Sequence, residues 1–233
     1  MATLPTGAGK TRTMIDAILR FQEQTPGVVM WIATTSEVCE QAAMAYKRSY
    51  ENVSPAFGSA IQRFWGDYKL DADFTQGIWV AGVQKLHSQL EHSSELLKFI
   101  KDKVKLVVFD EAHHATAPTY NKTLNLILGN RKTPRIPLIG LTATPGKGID
   151  PDGSAARKLA DKFGCNLLQA PQLMKSKTKN PIKTLQNLDV LSKLTINSVG
   201  GAQNLEMDQD ELNYMQQFSS FSGKLLRRIG AMT

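Results

Sequence analysis

The chain of 233 residues carries 28 Lys and Arg against 21 Asp and Glu, a formal charge of +7. That length holds one large domain, or one domain with an appendage. A hydrophobic content of 42% is enough for a core and excludes wholesale disorder. The pI near 9.4 favours a polyanionic partner. No apolar run approaches the ~20 residues needed to span a bilayer, and no charged-then-apolar leader opens the chain. The two cysteines, Cys39 and Cys165, read as free thiols. Together these features point to an intracellular, cytoplasmic protein with no membrane partner.

In chain order, the first signal is Leu4-Pro5-Thr6-Gly7-Ala8-Gly9-Lys10-Thr11, which reads as a phosphate-binding loop. Gly7 and Gly9 have no Cβ, so the backbone can turn tightly and bring its N–H groups onto an anion. Lys10 has the reach for the β- and γ-phosphates, and the Thr11 hydroxyl suits Mg²⁺. Leu4 holds the place where the general pattern has its first glycine. Behind the loop, Ile15, Ile18 and Leu19 sit at helical spacing, so a helix aims its N-terminal dipole at the anion.

A strand follows near residues 28–34 and a helix near 36–50, with Thr34 and Glu37 forming a capping box. Ala60 to Trp65 and Gly77 to Val83 read as strands around a polar loop, Asp67 to Thr75. A helix is expected over Ser88 to Phe99, then a buried strand over Lys103 to Phe109. Pro118 to Leu128 reads as a helix with Pro at its start, Ile136 to Thr142 as a strand, Pro145 to Gly153 as a loop, and Ser154 to Phe163 as a helix. Strands alternating with helices predict a mainly parallel sheet covered on both faces, an α/β architecture. Beyond residue 171 the character changes. Lys175, Lys177, Lys179 and Lys183 read first as a solvated connector and second as a contact to a nucleic-acid backbone. Apolar residues recur at helical spacing over Ile182 to Leu194, and a helix is expected from Asp208 to Ile229.

The second chemical signal is Val107-Val108-Phe109-Asp110-Glu111-Ala112-His113-His114. In open α/β sheets the chemistry lies at the carboxyl ends of strands, which is where Asp110 and Glu111 fall. Asp110 suits Mg²⁺ as a hard oxygen ligand. Glu111 suits the orientation and deprotonation of water attacking a γ-phosphate. His113 and His114, taken as adjacent strand residues, point to opposite faces and are poorly placed to ligate one ion. His113 reads as a hydrogen-bonding link between the site and its neighbours.

These motifs and Gly140-Leu141-Thr142-Ala143-Thr144-Pro145 stand in the order of the superfamily 2 helicases of the DEAD/DEAH-box kind, which the chain resembles over roughly residues 4 to 195. Trp31 to Glu37, continuing to Gln41, is similar to motif Ia of that family. Gly77 to Leu86 is similar to its next nucleic-acid-contacting motif. The double histidine and Arg63-Phe64-Trp65-Gly66 are most similar to the branch of type I and III restriction translocases.

The resemblance implies a RecA-like fold of the P-loop NTPase class, with ATP and Mg²⁺ as ligands. Pro5, Thr6, Gly7, Ala8, Gly9, Lys10 and Thr11 would bind ATP. Thr11 and Asp110 would hold Mg²⁺, and Glu111, Asp110 and Lys10 would be catalytic. His113, Thr142, Ala143 and Thr144 would couple hydrolysis to strand movement. Thr35, Gln41, Gln84 and Lys85 would touch nucleic acid, DNA in preference to RNA, although a buried strand and a helix cap explain part of those segments equally well.

The expected organisation is a first RecA-like domain over residues 1–170 and a connector with a helical segment over 171–233. The connector would lead toward a second RecA-like domain, in cis or on another subunit, that supplies arginines to the site. Met1-Ala2-Thr3 looks too short to supply the buried strand that normally precedes the phosphate loop, which is the expectation for a truncated piece. A catalytically incomplete nucleotide- or nucleic-acid-binding subunit is the alternative to a working motor. A nucleotide kinase or GTPase is disfavoured by Asp-Glu-Ala-His followed by Thr-Ala-Thr.

Overall fold

The computed structural model describes residues 1–51, 60–129, 136–143, 154–169, 181–188, 190–191, 207–218 and 222–230. Among these residues seven strands form one sheet: β1 (Ala2–Thr3), β2 (Val28–Ala33), β3 (Ala60–Phe64), β4 (Gly77–Gly82), β5 (Val104–Phe109), β6 (Leu138–Thr142) and β7 (Leu168–Gln169). Their order is β3-β4-β2-β5-β6-β1-β7, and every pairing is parallel. The expected α/β, RecA-like architecture with a parallel sheet is what forms.

The reason lies in the strand sequences. All six residues of β2 are buried, as a strand covered on both faces requires. Side chains alternate across the sheet. Val28, Met30 and Ile32 join one core with Trp79 and Ala81 of β4 and Val107 and Phe109 of β5. Val29, Trp31 and Ala33 join a second core with Ile78, Val80, Leu106 and Val108. Helices α1 (Lys10–Gln24) and α2 (Ser36–Glu51) cover the second core through Ile15, Ile18, Cys39 and Tyr46. Helices α3 (Val83–Leu90), α4 (Ser94–Lys103), α5 (Pro118–Leu128) and α6 (Ser154–Lys162) cover the first.

Several expectations are corrected. The helix expected over Ser88 to Phe99 is two helices, α3 and α4, broken at Glu91–Ser93. Ser93 ends the continuity because its hydroxyl accepts from Leu96 N at 3.1 Å and starts a new N-terminus. The cap of α2 is Thr35 rather than Thr34, since Val38 N donates to Thr35 Oγ1 at 3.3 Å. The single helix expected from Asp208 is two, Gln209–Phe218 and Gly223–Gly230. Ser222 restarts the chain there by accepting from Leu225 N at 3.1 Å. Pro181–Asn187 is helical, while most of 188–194 lies outside the described residues. So do Thr144, the Pro145–Gly153 loop, and Lys175, Lys177 and Lys179 of the basic connector.

The opening residues also do more than expected. Ala2 and Thr3 pair on one side with Leu141 and Thr142 of β6, and on the other with Leu168 and Gln169 of β7. Two residues suffice because both edges are hydrogen-bonded and Leu4 N extends the ladder to Thr142 O at 3.4 Å. This short strand sets the phosphate loop beside the end of β6.

Candidate functional site

At the carboxyl ends of β1, β5 and β6 the sheet gathers Lys10, Asp110, Glu111 and Thr142, which lie far apart in sequence. The loop leaves β1 at Leu4, and Ala8 N donates to Pro5 O at 3.1 Å to close its turn. Gly7 and Gly9 have φ of +79° and +85°, the left-handed region that a side chain resists. Gly9 is the N-cap of α1, has no side-chain cap, and the first turn carries no acid. The first helical N–H groups have no intrahelical partner. This end of a 15-residue helix therefore presents donors and a positive dipole to an anion. A Cβ on Gly9 would meet nothing within 4 Å, so open space lies beside it, whereas one on Gly7 would come within 3.1 Å of Leu191 Cδ2.

Asp110 continues β5 by donating its N–H to Ile32 O at 2.9 Å. The chain then flips: Glu111 has φ 51° and ψ 54°, an uncommon conformation for a residue with a side chain and a local strain of order 1–3 kcal/mol. The flip starts the 3₁₀ turn Ala112–His114. His113 and His114 are therefore not strand residues on opposite faces. They sit in this turn with ring centroids 4.1 Å apart.

Asp110 is 6% exposed. Burial pushes its carboxyl up to about 6, the Glu111 N–H it accepts lowers it, the Glu111 charge raises it, and Lys10 lowers it. Glu111 is held below its ordinary value, chiefly by the hydrogen bond from His113, with Lys10 contributing in the same direction. His113 Nδ1 lies 3.3 Å from Glu111 Oε2 and 3.2 Å from Thr142 Oγ1. An ionised carboxylate only accepts, so Nδ1 carries the proton and is shared between the two oxygens. Burial lowers His114 to about 4, which leaves it neutral.

The remaining candidates lie around this centre. Lys10, Thr11 and Gln41 line one cleft of about 1200 Å³ between the phosphate loop and α2, together with Arg12, Met44 and Arg48. Thr35 is exposed, but its hydroxyl caps α2. Gln84 is exposed at the start of α3 and donates through Nε2 to Tyr214 OH at 3.2 Å. Lys85 is engaged inside the protein: Nζ donates to Gly66 O at 2.7 Å and Tyr68 O at 2.5 Å, and lies 5.0 Å from the centre of the Phe64 ring. Ala143 follows β6, half-buried. Arg12, Arg48 and Tyr214 escape a reading of motifs, because a cleft wall and a contact 130 residues away leave no local pattern.

The donors fit the implied ligands. The Thr11 hydroxyl and the buried Asp110 carboxylate are hard oxygen donors of the kind Mg²⁺ takes. The glycine loop and uncapped helix end form a cradle for a polyphosphate. A parallel sheet with a phosphate loop after β1 and an acidic pair after β5 defines a RecA-like nucleotide-binding domain of the helicase type. Residues 1–147 match the family described as type III restriction enzyme, res subunit, and the chain belongs to that family.

Among solved structures, the helicase domain of Hef from Pyrococcus furiosus is similar at 22% identity and a TM-score of 0.53, over 72% of this chain and 34% of that one. A hypothetical ATP-dependent RNA helicase from Sulfolobus tokodaii is similar at 17% identity and a TM-score of 0.51, over 72% of this chain and 46% of that one. The chain thus spans under half the length of either neighbour, and these likenesses speak to the fold. No curated protein sequence matches the chain.

Proposed function

We propose that the chain is the ATP-binding motor domain of a helicase or translocase that hydrolyses ATP to ADP and phosphate while moving on nucleic acid, DNA in preference to RNA. The observation that carries this is the convergence of Lys10, Asp110, Glu111 and Thr142 at one end of the sheet, with His113 joining Glu111 to Thr142. Pro5 to Thr11 wrap the phosphates with backbone N–H groups, and Lys10 offsets charge that develops on the transferring phosphoryl group. Thr11 and Asp110 hold Mg²⁺, which neutralises phosphate charge when bound. Glu111, kept ionised by His113, orients the attacking water and accepts its proton.

The shared His113 proton ties that carboxylate to β6, so a change at Glu111 is transmitted to Thr142, Ala143 and Thr144. Thr35, Gln41 and Gln84 contact the nucleic-acid backbone. Lys85 holds the Gly66–Tyr68 turn beside them. Residues 1–170 form the first RecA-like unit. Residues 171–233 connect it to a second such domain, in cis or on another subunit, that completes the site inside the cell.

The test separates binding from turnover. Lys10→Ala is expected to abolish binding of a fluorescent ATP analogue. Glu111→Gln keeps binding and loses about 10²–10⁴-fold in the hydrolysis rate. Unchanged hydrolysis in either variant sinks the assignment. A second reading is a nucleotide- or nucleic-acid-binding subunit without turnover of its own. ATP turnover by this chain alone, stimulated by DNA, decides against it.

A further inference from the structure

Helix Gln209–Phe218 brings one side chain from the far end of the chain onto the candidate nucleic-acid surface. The helix is firmly started. Asp208 Oδ1 accepts from Glu211 N at 2.8 Å, and Glu211 Oε2 accepts from Asp208 N at 3.1 Å. This is a reciprocal capping box whose Glu211 is 3% exposed. The helix packs on α5, and its Tyr214 adds to burial, the larger cause, in pushing the Tyr120 hydroxyl of α5 up to about 12. On its other side the Tyr214 hydroxyl accepts from Gln84 Nε2 at 3.2 Å.

Gln84 is the exposed second residue of α3. A glutamine there has several rotamers, and binding through it must first select one. The amide has two N–H donors and one acceptor oxygen, and Tyr214 engages one N–H. The other N–H and the oxygen are then presented in one orientation. We propose that Tyr214 is a positioning residue for nucleic acid: its hydroxyl fixes the Gln84 amide ready to meet a backbone phosphate or sugar. This rests on the reading of Gln84 as a nucleic-acid contact.

The full chain, with Tyr214→Phe, Gln84→Ala and the double variant, is titrated against labelled single-stranded DNA by fluorescence anisotropy. Removing the hydroxyl is expected to weaken binding by about two- to tenfold, the worth of one net hydrogen bond. In the Gln84→Ala background the same change is expected to do nothing further. The side-chain amide resonance of Gln84, identified by its loss in Gln84→Ala, is expected to shift in Tyr214→Phe while the melting temperature holds.

Weakening of equal size in both backgrounds overturns the proposal, because the hydroxyl would then act without Gln84. Unchanged binding by Tyr214→Phe overturns it too. Tighter binding by Tyr214→Phe also overturns it, showing that the tyrosine masks the amide. If Gln84→Ala binds as the natural chain does, or the natural chain does not bind, the reading of Gln84 fails and the proposal falls with it.

Discussion

Asp110 shows how a residue of the candidate site can be costly to the fold. Its carboxyl has an ordinary value of 3.8 and is raised to about 6 by burial. The folded protein thus binds that proton more tightly than the unfolded chain does. Its contribution favours folding at low pH and is lost as the pH rises through 6. Asp110→Asn removes the buried charge and keeps an oxygen for the Glu111 N–H. In ligand-free protein it is expected to raise stability by about 1–3 kcal/mol at pH 8 and by little at pH 4, read by urea denaturation. Equal effects at both pH values would show that desolvation of this carboxylate is not the cause. Glu111 stands in contrast, since its strain sits in the backbone, and a protein retains such a residue where the surroundings over-determine it.

At the scale of elements, the site depends on how closely the Asp-Glu turn packs on β6. A Cβ on Gly140 would lie 2.4 Å from Phe163 Cε1 and 2.8 Å from Ala112 Cβ. Phe163 closes α6 and Ala112 opens the 3₁₀ turn, so Gly140 is where both rest on the strand. Gly140→Ala is expected to cost about 1–3 kcal/mol, as overpacking does, and to lower the hydrolysis rate by displacing His113 from Thr142. Thermal unfolding and steady-state ATPase assays check the two effects, and a stable, fully active variant would refute the packing account. Loop residues act on helices here as well. Ser93, Ser222 and Thr35 each end one run of helical spacing or start another by accepting a single backbone N–H. Periodicity alone does not register such caps, and this is why the α3–α4 pair was legible only as one helix.

At the scale of the whole molecule, two cores on opposite faces of one sheet hold a site that neither core contains. Strands β2, β4 and β5 supply rigidity, and the candidate site lies at the carboxyl ends of β1, β5 and β6. Among the described residues no helix is long and apolar enough to cross a membrane. A ligand that binds only the folded state stabilises it by mass action. ATP with Mg²⁺ at 100 times its Kd is therefore expected to add about 2.7 kcal/mol. The gain should vanish in Lys10→Ala and persist in Glu111→Gln, as read by differential scanning fluorimetry. An equal gain in Lys10→Ala would separate the phosphate loop from nucleotide binding.

The sequence by itself determined the parallel α/β class, the strands β2 to β6 and the two motifs after β1 and β5. Those depend on local properties: six-residue apolar runs, glycines where φ must be positive, and carboxylates at a strand end. Only the tertiary structure decided that Ala2 and Thr3 suffice as a strand between β6 and β7, since a two-residue strand exists only through the neighbours that bond it. It also decided that Glu111 takes a left-handed turn, that His113 stands between Glu111 and Thr142, that Lys85 is used internally and that Tyr214 meets Gln84. Each of these is a contact between distant segments, whose geometry is set when the sheet assembles and leaves no periodic trace in the chain.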